Sequence, residues 1–299
     1  MDYLTLPQPK MKRYLWLMIS LLWSNLALAQ FNQKVSRKDL FPGLKKLTPT
    51  EKALADTLLR QALDQEALYS LMADLKPIST IRHLHYPLVK DSTMHDGEPN
   101  VTKNAAALAE LAKYQKVLNA LSFGDLHFVM LPFKGVYDKE RNLQILVCRR
   151  DLLNQTITTH QAFFGQWGFT SGTSPEVLLT TIEFETKHDR YRAYGYLFGY
   201  PDYAVNFFVE SSKSEEKTKQ FVTRDFFDIP VQVGRKGHFT YAVPKGYQTT
   251  QTDSALHRSA GKVLATYTRR RAKYLKTNGL LASQLLADYY ALPVKKREQ

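Results

Sequence analysis

The chain of 299 residues holds one cysteine, Cys148, so no disulfide can form within it and a disulfide-stapled scaffold is excluded. It must hold itself together with an apolar core, and a chain of this length is long enough to build one. Beyond residues 14–23 no stretch approaches the ~20 consecutive apolar residues that a membrane-spanning helix needs. No Gly/Ser/Pro-rich linker divides the chain, so one domain is expected rather than two. Gly-x-Gly-x-x-Gly, the P-loop, Gly-x-Ser-x-Gly, His-Glu-x-x-His and Cys-x-x-Cys are all missing, which removes the common signatures of dinucleotide, nucleotide, serine-hydrolase, zinc-peptidase and thiol-redox chemistry. No internal repeat of ~20–50 residues is visible. Acid is also in short supply, with 28 Asp and Glu against 41 Lys and Arg.

What is present begins with an address. Met11-Lys12-Arg13, the apolar residues 14–23 and the segment ending Ala27-Leu28-Ala29 follow the order of a secretory signal peptide: basic region, short apolar region, Ala-x-Ala cleavage site. Residues 1–29 are therefore expected to be the leader, with Met11 as an alternative start, and residues 30–299 an exported bacterial protein, periplasmic or secreted. A retained anchor would need a longer apolar run. The leader carries away Lys10, Lys12, Arg13 and Asp2, which takes the net charge from +13 to +11. Such a surplus predicts an anionic partner, a glycan, a phospholipid or an envelope surface, with nucleic acid the less expected one.

Helical periods outnumber strand periods. Thr48-Pro49-Thr50-Glu51 is a capping box with proline at the first helical position. Apolar strand-like runs fall in two groups, within residues 80–149 and 221–243. The expected class is α+β: a helix-rich single domain with an antiparallel sheet, the two groups forming one sheet or two subdomains. Lys134–Asn142 reads as a long hairpin turn and Lys213–Lys219 as a charged loop. Cys148, inside Leu143-Gln-Ile-Leu-Val-Cys, reads as a buried strand residue.

Residues 174–212 hold the densest ionisable cluster. Ser174-Pro175 opens a helix, Gly199-Tyr200-Pro201 closes it, and a second helix follows, predicting a central helical hairpin over residues 175–211. Within the first helix Glu185, His188, Asp189 and Arg192 stand at i, i+3, i+4 and i+7, spacings that make neighbours on a helix surface. Two uses fit them. They pair as a solvated patch, or they form an acid–base site in a cleft, with Glu185 and His188 in proton transfer, Asp189 orienting and Arg192 holding an anionic substrate group.

Two weaker signals remain. His83 and His85 alternate on one strand, a spacing zinc sites use, with His95-Asp96 downstream; the remaining ligands are not evident, and no cofactor is expected. Arg269, Arg270, Arg271 and Lys273, with Tyr267 and Tyr274, form the strongest basic patch, suited to phosphate or acidic sugar, or simply to a solvated helix end. For function, the sequence favours an exported binding protein for an anionic partner, with an exported hydrolase or other acid–base enzyme as the alternative.

Overall fold

A computed structural model of the chain describes residues 41–86, 101–137, 140–275 and 281–292. The leader, His95-Asp96 and the basic tail from Val294 lie outside these residues. In chain order the elements are α1 (Pro49–Asp64), α2 (Leu68–Leu71), β1 (Ile78–Tyr86), α3 (Val101–Leu121), β2 (Leu126–Tyr137) and β3 (Glu140–Arg149). There follow α4 (Arg150–Thr159), α5 (Gln161–Phe164), α6 (Pro175–Phe184), α7 (Lys187–Leu197), α8 (Asp202–Thr218), β4 (Arg224–Val231), β5 (Gly234–Pro244), α9 (Gln251–Leu275) and α10 (Ala282–Tyr290). The class is α+β, as expected. The strands form two sheets rather than one: β1-β3-β2, antiparallel throughout, and the hairpin β4-β5.

The central strand β3 explains its own composition. Leu143, Ile145 and Val147 point to one side, into a core shared with α1, α3 and α10. Leu146 and Cys148 point to the other, against Leu153 and Ile157 of α4, Leu178 and Ile182 of α6, and Leu197 of α7. A strand covered on both faces cannot alternate apolar with polar, hence the unbroken apolar run. Cys148 is fully buried there, and burial pushes its thiol far above the usual range, so it is inert. The second sheet joins the same core, since Ile229, Val231 and Phe239 lie in the cluster that holds Leu58, Leu63 and Leu286.

The helix starts follow capping chemistry. The Thr48 hydroxyl accepts from the Glu51 amide while the Glu51 carboxylate accepts from the Thr48 amide, a reciprocal cap of about 1 kcal/mol. Ser174 caps α6 in the same way through Val177. Asp202, by contrast, is the first residue of α8 and Pro201 its cap.

The central hairpin differs from expectation. Glu185 is extended at ψ 174°, so the helix foreseen across the cluster is two, α6 and α7, with Thr186 beginning the second. The cause is in the sequence: Thr186-x-x-Asp189 has helix-start spacing, and the Thr186 hydroxyl donates to Asp189 at 3.0 Å. The helical hairpin is therefore α7 against α8. It closes tightly because Gly195 faces Val205, where a Cβ would lie 2.8 Å from a methyl carbon. Its corner needs Gly199 twice over: φ is +75°, and a Cβ would sit 2.5 Å from the Leu75 carbonyl oxygen.

Two loops foreseen in the sequence are regular structure. Residues Lys213 to Thr218 continue α8, steadied by Lys187–Glu216 at 2.7 Å and an Arg224–Glu215 pair. Residues of the expected long turn extend β2 to Tyr137 and start β3 at Glu140.

The C-terminal helices fasten onto the N-terminal ones. Asp64 accepts Tyr267 at 2.6 Å and Arg271 at 2.7 Å. Ser283 donates to Asp56 through both amide and hydroxyl. Tyr289 and Tyr290 donate to the Met72 and Leu71 carbonyls at 2.7 and 2.6 Å.

Candidate functional site

The four residues singled out between α6 and α7 are each half-buried, and each is held by a different group. Glu185 accepts only its neighbour's amide, that of Thr186, at 3.3 Å, and Asp189 accepts the Thr186 hydroxyl. His188 lies 3.3 Å from Glu216, an ion-pair contact off the hydrogen-bonding angle. Arg192 reaches Asn206, Tyr196 and, at 3.6 Å, Glu210. Glu185 and Asp189 are tied locally to Thr186, while His188 and Arg192 reach across to α8. The cluster thus helps pin the helical hairpin, and the four side chains do not converge on one partner.

The buried carboxylate of this corner is Glu183, which the sequence reading passed over. It is 2 % exposed and accepts the Lys134 amide at 3.0 Å and the Tyr194 hydroxyl at 2.8 Å. Burial, and then Glu183 itself, drive the Tyr194 phenol well above its usual range. The Lys134 ammonium meanwhile caps the end of α6, donating to the Phe184 and Glu185 carbonyls.

His83 and His85 leave the same face of β1, both exposed, with the His83 ring stacked 5.9 Å from Phe133. Burial and the neighbouring His85 lower the His83 pKa. Among the described residues no group of three or more His, Cys, Asp or Glu is placed to hold a metal.

The basic patch on α9 separates into two directions. Arg271 turns inward to Asp64, and Tyr267, which seemed to interleave with the cations, is fully buried on the same carboxylate. The Arg270 guanidinium lies over the Tyr289 ring at 5.8 Å. Arg269 and Lys273 face outward, and at about 100° per residue they share one exposed face with Arg258 and Lys262, all four within about 60° of arc. The only acid in α9 is Asp253, and it is fully buried. The row of four cations runs over about 22 Å, fifteen residues at about 1.5 Å each, with no acid of α9 itself on that face. At its N-terminal end an open depression of about 390 Å³ is lined by Phe227, Thr249, Ser254, His257 and Arg258.

Asp253 itself is a buried carboxylate that accepts five hydrogen bonds. It accepts Tyr241 at 2.5 Å, Tyr247 at 2.7 Å, Tyr203, and the Thr250 amide and hydroxyl at 2.7 and 2.8 Å. Thr250 in turn caps α9 through the Asp253 amide. Burial opposes the charge, but the hydrogen bonds, Tyr203 and Tyr241 foremost, outweigh it and hold the carboxyl well below the usual range. A second internal charge is Lys76, fully buried, 2.8 Å from Glu66 and 4.1 Å from the Phe239 ring centroid, with Phe198 and Tyr200 completing a cage. Both groups are fully buried. Both knit elements together, Asp253 joining α8, β5 and α9. Only a weak trace of them is in the sequence: Thr250-x-x-Asp253 has capping-box spacing.

Comparison with protein-family models, with curated proteins and with solved structures finds no match to this chain.

Proposed function

We propose that the chain is an exported binding protein whose α9 ridge holds an extended anionic partner, an acidic glycan of the cell envelope or its surroundings. The observation that carries the reading is the alignment of Arg258, Lys262, Arg269 and Lys273 on one exposed face of a 25-residue helix whose single acid is buried. A straight row of cations meets repeated charges along a polymer better than it meets a single small anion. The depression at the end of the ridge adds the Phe227 ring beside Arg258 and His257. Export rests on the leader pattern of residues 11–29. The acid–base alternative gains no support from the α6–α7 corner, whose side chains serve separate partners.

The test is titration of the mature chain with polygalacturonate and with neutral dextran at low and high salt. Binding to the acidic polymer alone, weakening with salt, is expected. Arg258→Glu with Lys262→Glu should weaken it about tenfold or more, while Glu185→Gln leaves it unchanged. Equal binding to dextran, or full affinity in the double variant, would sink the reading.

A further inference from the structure

Two adjacent phenylalanines of β4 have opposite surroundings. Phe227 packs inward, 5.2 Å from Tyr241 and 6.3 Å from His257 of α9. Phe226 leaves the other face of the strand and is 61 % exposed, near Phe221 at 72 % and Phe208 of α8 at 37 %. Arg224 links these rings. It shares a strand face with Phe226, and its guanidinium lies 4.5 Å from the Phe221 centroid and 5.8 Å from that of Phe208. Tyr191 of α7 extends the patch, 5.3 Å from Phe208.

Along the chain, cations and rings alternate: Lys217, Lys219, Phe221, Arg224, Phe226, with both lysines exposed. The acids of the same stretch are already engaged. Glu215 holds Arg224 and the Val222 amide, Glu216 holds Lys187, and Asp225 holds Lys245 and the Gly246 amide. Exposed rings gathered from three elements mark an interaction surface. Its charge selects the occupant. A second copy of the mature chain would set +11 against +11. Exposed rings flanked by a pair of ammonium groups match the boundary between acyl chains and phosphates.

We propose that this face docks onto an anionic phospholipid bilayer, Phe221 and Phe226 entering the acyl boundary while Lys217 and Lys219 meet the phosphates. The surface lies on the side of β4 away from α9, and the inference stands whether or not the glycan reading does.

The experiment uses the mature full chain with Phe221→Trp as reporter, against the parent background of Trp167. Vesicles of phosphatidylglycerol and phosphatidylcholine should shift the emission to the blue, and brominated acyl chains should quench it; phosphatidylcholine alone should do neither. Cosedimentation should weaken about tenfold or more in Phe221→Ser with Phe226→Ser, and similarly in Lys217→Glu with Lys219→Glu. Arg258→Glu with Lys262→Glu should leave vesicle binding intact. Unchanged emission on anionic vesicles overturns the proposal. So does vesicle binding that survives loss of both rings, or self-association that Phe221→Ser abolishes without any vesicle binding, which would make a second copy the occupant.

Discussion

At the α6–α7 corner, Glu185, His188, Asp189 and Arg192 are close neighbours in sequence, yet they divide between Thr186 and separate residues of α8, and all remain half-exposed. At the junction of α8, β5 and α9 the reverse holds. Asp253 and the tyrosines at 203, 241 and 247 are scattered over 50 residues, yet they meet on one buried carboxylate. Spacing along a helix fixes which side chains share a surface. It does not fix which share a partner, because partners arrive from other elements. Charge density in sequence is therefore a guide to helix surfaces, and convergence is a product of topology.

The comparison is most severely tested at Asp253. Replacement by alanine removes the carboxylate half of the reciprocal cap with Thr250 and strands buried tyrosine hydroxyls, and should cost about 3–5 kcal/mol in urea denaturation. Its charge also carries a pH signature. The folded carboxyl titrates below its unfolded value, so its stabilisation is complete above about pH 4 and is lost as pH falls from there toward the folded pKa. Asp253→Asn should accordingly flatten the acid limb of the stability curve while the parent protein keeps its slope. A parent and variant with parallel acid limbs would mean the tyrosines do not hold a charged group.

Glu183 offers an intermediate case, a buried carboxylate at the corner itself. Glu183→Ala should cost about 2 kcal/mol, since it leaves the Lys134 amide and the Tyr194 hydroxyl without their acceptor. The smallest effects belong to the residues that first drew notice. Glu185→Gln and His188→Ala should each shift stability by no more than about 0.5 kcal/mol. If either matched Asp253→Ala, the corner would be a built site and the contrast between the two regions would collapse.

What the sequence made legible was local. Thr48-x-x-Glu51, Ser174-Pro175 and Gly199-Tyr200-Pro201 each act within a few residues, and each does in the structure what its chemistry dictates. The apolar character of β3 and the burial of Cys148 within it were also legible. Errors came where a local signal was weak or outvoted. Lys213–Lys219 is rich in charge and looks like a loop, but its acids pair with Lys187 and Arg224 from other segments, and most of it remains helical. Thr186 interrupts an apolar periodicity that otherwise runs on, so periodicity was followed where capping prevailed. The burial of Asp253, Lys76 and Tyr267 had almost no sequence signal, since each has a partner between 10 and 203 residues away.

The bonds from Ser283, Tyr289 and Tyr290 back to Asp56, Met72 and Leu71 span 217 to 227 residues. They set an order of assembly. Synthesis delivers α1 and α2 long before α10 exists, so the part of their apolar faces that α10 covers waits until that helix has been made. Closing loops of that length is slow. Until then the early helices lack their final cover, and α10 acts as the latch that supplies it.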